Sequence, residues 1–448
     1  MAGESKGPPF SILPEALAWL DGHIDYESKM PSRRSLPTLD RIRELAHLLG
    51  NPERSLPCVH LTGTNGKGST ASMVSSLMDA MGLTVGTYTS PNLARVNERI
   101  ARNGAPIDDA SFTEVLSTLA SLEGLLSGRP TRFELLTAAA LAWFSDVAVD
   151  VGVIEVGVGG TWDSTNVVEG DVAVITNISY DHTDILGPTL EGIATDKAGI
   201  VKAGSTVVVG ERDPDLVALI QGRAQAAGAG AVWVLGRDFH CSSNRLALGG
   251  RLVDVETPGG SYKDVLVSLN GPHQGPNAAC SVAAAEAFFG RPLGDNVVTS
   301  ALSSVTVPGR LEVAGHRPLV LIDGAHNVAG MHALCEAVLE GFVVNGPVVA
   351  VVGMLRGRDP TAMLSALSPL KIATLIVCEP SSPRAIAAEV VAQAGAALGT
   401  QVEIVQGVGE AMSRAARLVP EDGMLLVAGS LYVVADAREH LASPARQG

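Results

Sequence analysis

The segment HLTGTNGKGST, residues 60–70, has the composition of a loop that binds phosphate groups. Its three glycines let the backbone approach a polyphosphate, free N–H groups at the start of the next helix point at the phosphates, and Lys67 adds positive charge. The hydroxyl of Ser69 or Thr70 can then reach a magnesium ion. The segment departs from the Walker pattern G-x-x-x-x-G-K-[ST], since a leucine replaces the first glycine and a glycine follows the lysine. The residues alone favour nucleotide binding over an ordinary glycine-rich turn.

Glu155 and His182 follow two apolar runs that begin at residues 151 and 172. The carboxyl ends of neighbouring parallel strands are expected there, and ligands bind at that edge of open α/β sheets. Glu155 is therefore either a magnesium ligand or a solvated carboxylate, and a single histidine after a strand is more often a capping or packing residue. Lys197 lies in a predicted helical stretch, where a surface lysine is the ordinary interpretation. The residues alone leave these roles open.

The apolar pattern predicts two α/β units in succession. Near-continuous apolar runs beginning at residues 58, 151, 172, 205 and 231 are typical of parallel strands buried on both faces. We also predict helices at 13–21, 38–49, 111–126 and 133–147, a long loop at 90–106, and antiparallel hairpins at the sheet edge at 246–269. Beyond residue 308, five more strand-like runs alternate with helical stretches. The expected fold is α/β: a P-loop-type, mostly parallel N-terminal domain with N-terminal helices (1–306) and a smaller Rossmann-like domain (307–448).

Composition excludes several classes of function. The 448 residues are 46% hydrophobic, which is typical of a globular chain, and no apolar run reaches the roughly 18 residues of a membrane helix. A net charge of −15 opposes nonspecific binding to nucleic acid. The first ten residues lack a secretion signal, and the five cysteines contain no C-x-x-C pair. We therefore expect a cytoplasmic protein with small-molecule partners.

Several motifs, in their order along the chain, resemble one family. GTNGKGST at 63–70, TSPNLARVNERI at 89–100, IEVGVGGTWDSTN at 154–166 and ITNISYDHTDILG at 175–187 are similar to motifs of the bifunctional dihydrofolate synthase/folylpolyglutamate synthase family, within the Mur ligase superfamily. DKAGIVK, GPHQGPNAA, PGRLEV, DGAHN and AGSLY follow in the family's order. The resemblance extends from about residue 38 to the end of the chain.

The resemblance implies roles for residues around Mg-ATP. The nucleotide would be bound by Gly63, Thr64, Asn65, Gly66, Lys67, Gly68, Ser69, Thr70, Asn277, Arg310 and Asp323. Two magnesium ions would be held by Ser90, Glu155 and His182, and the catalytic set would be Lys67, Lys197 and His182. Lys197 matches a lysine that carbon dioxide commonly carbamylates in this family, which requires a depressed pKa and a nearby cation. His326 either lines the same cleft or belongs to a turn.

The resemblance also implies a pocket for a pteridine substrate. It would consist of Thr131, Arg132, Phe133 and Glu134 together with Trp162, Asp163 and Ser164, with residues 38–41 as a further wall. Phe133 and Trp162 suit a flat ring, although both are apolar enough to be ordinary core residues. The chain departs from the family at Thr161, where arginine is usual, and at Asn92, where histidine is frequent. The RGRD turn at 356–359 has no chemistry that the sequence explains.

The implied reaction is ATP-dependent formation of an amide. The γ-phosphoryl group activates a carboxylate of dihydropteroate or of a reduced folate, and L-glutamate attacks the acyl phosphate. A synthase restricted to tetrahydrofolate is the main alternative, and a nucleotide-binding regulator with an inactive site is a third. A cell-wall Mur ligase is disfavoured, because only 62 residues precede Gly63 and a nucleotide-sugar domain needs roughly a hundred. Family members are usually monomers.

Overall fold

The larger of the main sheets lies in the N-terminal half of the chain. The computed structural model describes residues 9–28 and 36–442, so the N-terminal residues on which the secretion prediction partly rests lie outside it. In the order of the sheet, its strands run β4–β3–β2–β5–β1–β6–β7–β8, and all neighbouring pairs are parallel except β2–β3 and β3–β4. In chain order they are β1 Cys58–Thr62, β2 Val85–Tyr88, β3 Ile100–Arg102, β4 Ala105–Pro106, β5 Val151–Glu155, β6 Val172–Ile175, β7 Thr206–Val209 and β8 Ala231–Val234.

Helices cover both faces of this sheet, which explains the continuous apolar runs. They are α1 Leu13–Asp21, α2 Asp40–Leu48, α3 Lys67–Ala80, α4 Asp109–Glu123, α5 Arg132–Asp146, α6 Thr183–Leu186, α7 Leu190–Lys197, α8 Pro214–Ala227, α9 Gln274–Phe289 and α10 Asp295–Ser304. Val59 and Leu61 of β1 pack with α3, α9 and α10, whereas Cys58 packs on the opposite face with α1, α2, α4 and α5. The predicted helices and parallel strands are confirmed.

Two local predictions for the N-terminal half are wrong. Residues 90–106 are not one loop, because they include a short 3-10 helix and the β3–β4 hairpin, which extends the sheet edge. The predicted hairpins do not extend the main sheet either. They form a separate antiparallel sheet of β9 His240–Ala247, β10 Gly250–Glu256 and β11 Ser261–Val267. Alternate residues such as Val253 and Val265 bury one face of this small sheet in the core that contains α9.

The C-terminal half forms a second α/β unit around a six-stranded sheet, ordered β12–β13–β17–β14–β15–β16. Its strands are β12 Glu312–His316, β13 Leu319–Ile322, β14 Val348–Val352, β15 Thr374–Val377, β16 Gln401–Ile404 and β17 Met424–Ala428. Its helices are α11 Val328–Gly341, α12 Pro360–Ala366, α13 Ala388–Ala397, α14 Val408–Leu418 and α15 Leu431–Ala442. The five predicted strands are parallel, and β12 adds an antiparallel edge that the sequence analysis missed. The α/β fold class is confirmed, and the predicted boundary falls between α10 and β12.

Within the described ranges, no helix combines the length and the apolar character that crossing a membrane requires.

Candidate active site

A cavity of about 540 Å³ lies between the two α/β units, where β1, β5 and β6 end side by side. Loops that follow these strands supply one wall, and loops that follow β13, β14 and β17 supply the other. Most of the predicted site residues line it: Gly63, Thr64, Asn65, Gly66, Lys67, Gly68, Ser69, Ser90, Thr131, Phe133, Glu155, Trp162, Asp163, Ser164, His182, Lys197, Asn277, Arg310, Asp323 and His326. Thr70, Arg132 and Glu134 do not line it.

The loop between β1 and α3 requires its glycines. Gly63 has a φ of 150°, and a Cβ there would lie 1.8 Å from Thr176 Oγ1. Gly66 has a φ of 81°, and a Cβ would lie 2.7 Å from Asn277 Oδ1. The Thr176 hydroxyl also donates a hydrogen bond to the carbonyl of Asn65, at 2.7 Å. The loop is therefore fixed against the end of β6 and has no room for side chains at these two positions.

Two lysines, Lys197 buried and Lys67 half-buried, converge on one carbonyl of this loop. Lys197 Nζ, at the end of α7, donates to Gly63 O at 2.7 Å, and Lys67 Nζ donates to the same oxygen at 3.3 Å. Burial lowers the pKa of both ammonium groups. For Lys197 the pKa falls to about 7, mainly because of burial and further because Lys67 repels its charge. Lys197 is thus not the surface lysine that its helical context favours.

Glu155 provides a buried carboxylate beside the loop. Its Oε2 accepts a hydrogen bond from the backbone N–H of Ser90 at 3.3 Å and lies 3.7 Å from where a Cβ of Gly68 would be. Burial raises the pKa of this carboxyl, and the charge of Lys67 opposes the rise. With a single hydrogen-bond donor among the described residues, its remaining lone pairs suit a cation.

The side chains near Glu155 could supply only part of the coordination sphere of a magnesium ion. In the part of the chain that the structure describes, no three His, Cys, Asp or Glu side chains form a complete metal cage. Magnesium commonly takes one or two carboxylates from the protein and its remaining ligands from phosphates and water. The buried oxygens around Glu155 fit that pattern.

His182 lies beside a carboxylate that connects the two α/β units. Burial lowers the pKa of its imidazole to about 3, so the ring is neutral and can act as a ligand. The preceding residue, Asp181, accepts from the backbone N–H of His182 at 2.7 Å and from Asn327 Nδ2 at 2.9 Å. It also forms ion pairs with Arg358 and, at 3.4 Å, with His326 if that ring is protonated. Asp181 therefore joins the predicted histidine motif to the C-terminal unit.

Asp323 and Arg310 lie on the C-terminal side of the cavity. Asp323 accepts backbone N–H bonds from Leu311 and Ala325, both at 2.7 Å. Arg310 Nη1 is 3.5 Å from Gly324 O, and its positive charge acts on both Lys67 and Glu155. The two side chains thus face the phosphate loop from the other unit.

Phe133 and Asp163 approach each other at the far end of the cavity. A Cβ on Gly157 would lie 2.7 Å from Phe133 Cζ and 3.1 Å from Asp163 Oδ2, so this glycine separates the ring from the carboxylate. Trp162 and Ser164 line the same region. An aromatic ring beside a buried carboxylate suits a flat heterocycle that carries N–H donors.

Other predicted substrate residues have structural partners. Thr131 and Glu134 form a capping box at the start of α5, and Glu134 also accepts from Arg41 at 3.1 Å. Arg132 pairs with Asp21 at 3.0 Å. The structure therefore brings Thr131 to the cavity but leaves Arg132 and Glu134 behind it.

The two departures from the family pattern both lie outside the cavity lining. The hydroxyl of Thr161 donates to the carbonyl of Asp196 at 3.0 Å, next to Lys197. Asn92 Oδ1 accepts from Arg99 Nε at 2.7 Å. Each residue therefore supports a neighbouring segment from outside the cavity.

Several residues of the lining were not predicted from the sequence. Arg358 comes from the RGRD turn, which was recognised but not explained, and Arg384 comes from a loop after β15. Glu27 lies in a segment without any motif, where Arg99 binds its carboxylate with two bonds of 2.7 and 2.6 Å. Only Arg358 had a signal in the sequence, namely the unexplained RGRD turn. None of the three could be assigned to the site from the sequence, because their partners are remote along the chain.

Comparisons with known proteins agree with this architecture. Residues 61–285 match the Mur ligase middle domain, and residues 309–431 match the Mur ligase, glutamate ligase domain. The dihydrofolate synthase/folylpolyglutamate synthase of Mycobacterium tuberculosis is 37% identical over 413 residues, which are 86% of this chain and 84% of that one.

Two solved structures are similar over nearly the whole chain. Folylpolyglutamate synthase of Mycobacterium tuberculosis, complexed with ADP and AMPPCP, has a TM-score of 0.89 and 35% identity, covering 96% of this chain and 98% of that one. A bifunctional folylpolyglutamate synthase/dihydrofolate synthase with Mn, AMPPNP and L-glutamate bound has a TM-score of 0.85 and 29% identity, covering 98% and 100%. Together with the phosphate loop, the paired lysines and the cleft between two α/β units, these matches establish that the chain is an ATP-dependent ligase and belongs to the dihydrofolate synthase/folylpolyglutamate synthase family of Mur ligases.

Proposed function

We propose that this ligase joins L-glutamate to dihydropteroate and to the glutamate tail of reduced folates. One observation carries the proposal: Lys67 and Lys197 meet at the carbonyl of Gly63 in the same cavity as Phe133 and Asp163. The residues that could bind the phosphates of ATP and those that could bind a flat heterocycle thus line the same cavity. The activities named for the Mycobacterium tuberculosis relative support the same pair of substrates.

The substrate carboxylate attacks the γ-phosphorus of ATP, which forms an acyl phosphate and releases ADP. The α-amino group of glutamate then attacks the acyl carbon and loses a proton, and phosphate leaves as the amide forms. Lys67 neutralises charge on the phosphates during the first step, and the backbone N–H groups at the start of α3 orient them. Two magnesium ions, held by Ser90, Glu155 and His182, would supply further charge neutralisation.

Lys197 is proposed to act as a carbamate. Its amine is buried, with a pKa lowered to about 7, so much of it is neutral and nucleophilic near neutral pH. Attack of the neutral amine on carbon dioxide, with loss of a proton, would give a carbamate anion. The anion would attract Lys67, whereas the protonated amine repels it. The physical support for this role is the buried amine of Lys197, which shares the Gly63 carbonyl with Lys67.

Nucleotide binding is proposed to draw on both units. Asn277 lies against Gly66 of the phosphate loop, and Arg310 and Asp323 face that loop from the C-terminal side. A nucleotide between them would hold the cleft closed and exclude water from the acyl phosphate. The remaining predicted nucleotide contact, Thr70, is fully buried, and its backbone N–H already donates to the carbonyl of Gly66 at 2.9 Å.

The incoming glutamate is proposed to bind at the arginines of the C-terminal unit. Arg384 lines the cavity and donates to two backbone carbonyls, those of Glu27 at 3.1 Å and Arg356 at 3.2 Å. Burial and, to a smaller extent, the nearby positive charge of Arg384 lower the pKa of Arg358 to about 10. A substrate carboxylate near the two guanidinium groups would offset their positive charge.

Steady-state measurements of ADP release test the substrates. The purified protein is assayed with ATP, magnesium and L-glutamate, and with dihydropteroate or tetrahydrofolate as the acceptor. Glutamate-dependent release with both acceptors is the expected result. Release with tetrahydrofolate alone would establish the monofunctional alternative, and release with neither would refute the proposal. We further propose that the enzyme is cytoplasmic and monomeric. Sedimentation of the purified protein tests the oligomeric state.

A further inference from the structure

His60 is a buried polar residue in the middle of the main sheet. It lies on β1, whose other residues are buried, and its own side chain is fully buried. An apolar residue would cost less at such a position, because a buried imidazole loses its hydration. Burial, with a smaller contribution from Lys202, lowers the pKa of His60 to about 3, so the ring is neutral. The mechanism above gives this histidine no role.

A chain of short hydrogen bonds leads from His60 to the substrate end of the cavity. His60 Nε2 is 2.9 Å from Thr165 Oγ1, and that hydroxyl donates to Asp163 Oδ1 at 2.5 Å. Asp163 also accepts from the backbone N–H groups of Thr165 and Val158, both at 3.0 Å. It is 3% exposed and lines the cavity. The chain therefore begins in the sheet core and ends on a carboxylate at the wall of the cavity.

The unpaired nitrogen of His60 indicates the direction of the chain. His60 Nδ1 is buried and has no hydrogen-bond partner among the described residues. If Nδ1 carried the proton, a buried N–H would be left without an acceptor, and Nε2 could only accept from a hydroxyl that already serves Asp163. With the proton on Nε2, His60 donates to Thr165, and the Thr165 proton is directed to Asp163. Each donor then has an acceptor, and only a lone pair is left over.

We propose that His60 is a positioning residue for the pteridine substrate: through Thr165 it fixes the Asp163 carboxylate as an oriented acceptor at the wall of the cavity. This inference rests on the proposed function of Asp163 in substrate binding. Bonds arranged in series strengthen one another, so removing the first weakens the last. An interaction that acts only on Asp163 should alter pteridine binding and leave ATP binding unchanged.

Four variants test the chain. His60→Leu and Thr165→Val each remove one bond, the double variant removes both, and His60→Gln places an amide N–H near the position of Nε2. The exposed His316 on β12 provides a matched control, His316→Leu. Initial rates of glutamate-dependent ADP release are measured at varied dihydropteroate or tetrahydrofolate, whichever the wild type uses, and at varied ATP.

We expect His60→Leu and Thr165→Val each to raise the KM for the pteridine substrate about tenfold, with the KM for ATP unchanged within about twofold. The double variant should be no worse than Thr165→Val alone, since the bonds act in series. His60→Gln should recover most of the affinity. Three results would overturn the inference. They are an unchanged KM for the pteridine substrate in Thr165→Val, a parallel rise in the KM for ATP, and an additive effect of about a hundredfold in the double variant.

The imidazole of His60 supplies a test that is independent of catalysis. Nitrogen-15 spectra of the full chain, assigned by comparison with His60→Gln, should report a neutral ring protonated on Nε2. A ring protonated on Nδ1 would overturn the inference even if His60→Leu and Thr165→Val failed to fold. Failure of the proposed function is distinguishable, because the wild type itself would then turn over neither pteridine substrate.

Discussion

Replacement of Lys197 by alanine is the most direct test of the site. Lys197 is 4% exposed, and its Nζ lies 2.7 Å from the carbonyl of Gly63 in the phosphate loop. Lys197→Ala removes the amine and leaves a space beside Lys67 that a small carboxylate can occupy. We expect turnover to fall at least about a hundredfold, as when another preorganised charge is removed from an active site. Acetate or formate should restore part of it.

Burial is the main cause of the lowered pKa of Lys197, and this pKa determines what fraction of the amine is neutral. A lysine with its ordinary pKa of 10.5 is only about 0.3% neutral at pH 8, whereas one with a pKa of about 7 is about 90% neutral. The nucleophilic form of Lys197 is thus enriched about 300-fold. Because the neutral amine is the reactive form, it is lost as pH falls through 7. Activation by carbon dioxide should therefore decline about tenfold for each pH unit below about 6.

The assay combines isotope detection with chemical rescue. Protein equilibrated with carbon-13 bicarbonate should give one carbamate signal that is absent from Lys197→Ala. Lys202 serves as a matched control, since it is partly buried, donates to Asn166 O at 3.0 Å and lies outside the cavity lining. Lys202→Ala should keep the carbamate signal and show no response to acetate.

Two results would refute this reasoning. Normal turnover of Lys197→Ala without any added anion would show that neither the amine nor its carbamate is needed. A carbamate signal of equal intensity in Lys197→Ala would place the modification elsewhere.

Three further predictions concern the cation site, the loop and the contact between units. Glu155→Gln keeps the shape of the side chain but removes its charge, so turnover should fall about a hundredfold and require more magnesium; unchanged metal titrations would contradict this. Gly63→Ala should abolish binding of AMPPNP in calorimetry, because its methyl group would lie 1.8 Å from a threonine oxygen, whereas Gly104→Ala, with positive φ but open space, should bind normally. Arg251→Met should lower the free energy of unfolding by about 1–3 kcal/mol in thermal melts, since Arg251 is 2% exposed and bonds Glu340 at 2.8 Å. Glu340→Gln should cost less than about 1 kcal/mol because Glu340 is 41% exposed, and equal losses would contradict this assignment.

Local pattern predicted the phosphate loop and the main sheet well. The continuous apolar runs of β1, β5 and β6 require burial on both faces, and parallel strands place their carboxyl ends together. Glu155 and the residues after β1 therefore had to meet at one edge. This follows from the sequence because each requirement acts within a few residues of the side chain concerned.

Partners that are remote along the chain could not be predicted in the same way. Asp181 and Arg358 are 177 positions apart, and neither residue type signals an ion pair. The three-stranded sheet shows the same limit, since alternation in residues 246–269 predicts hairpins but does not identify the surface they cover. Arg132 and Glu134 lie at the start of α5, and the bonds they make there belong to the helix start and its contact with α1. In the sequence, residues 131–134 would look the same whether they begin a helix or bind a ligand.

Asp181 and Asn327 make the placement of the C-terminal unit part of the site itself. Asn327 begins α11, where its Oδ1 accepts from the N–H of Gly330, and its amide also bonds Asn65 of the phosphate loop at 3.0 Å and Asp181 at 2.9 Å. Asp181 is 8% exposed, so its charge needs all its donors, and two of them belong to the C-terminal unit. Separating the units would leave this carboxylate with fewer donors and would free the loop that holds His182. The orientation of the C-terminal unit and the position of the phosphate loop are therefore coupled through Asn327 and Asp181, so that a change in one is expected to disturb the other.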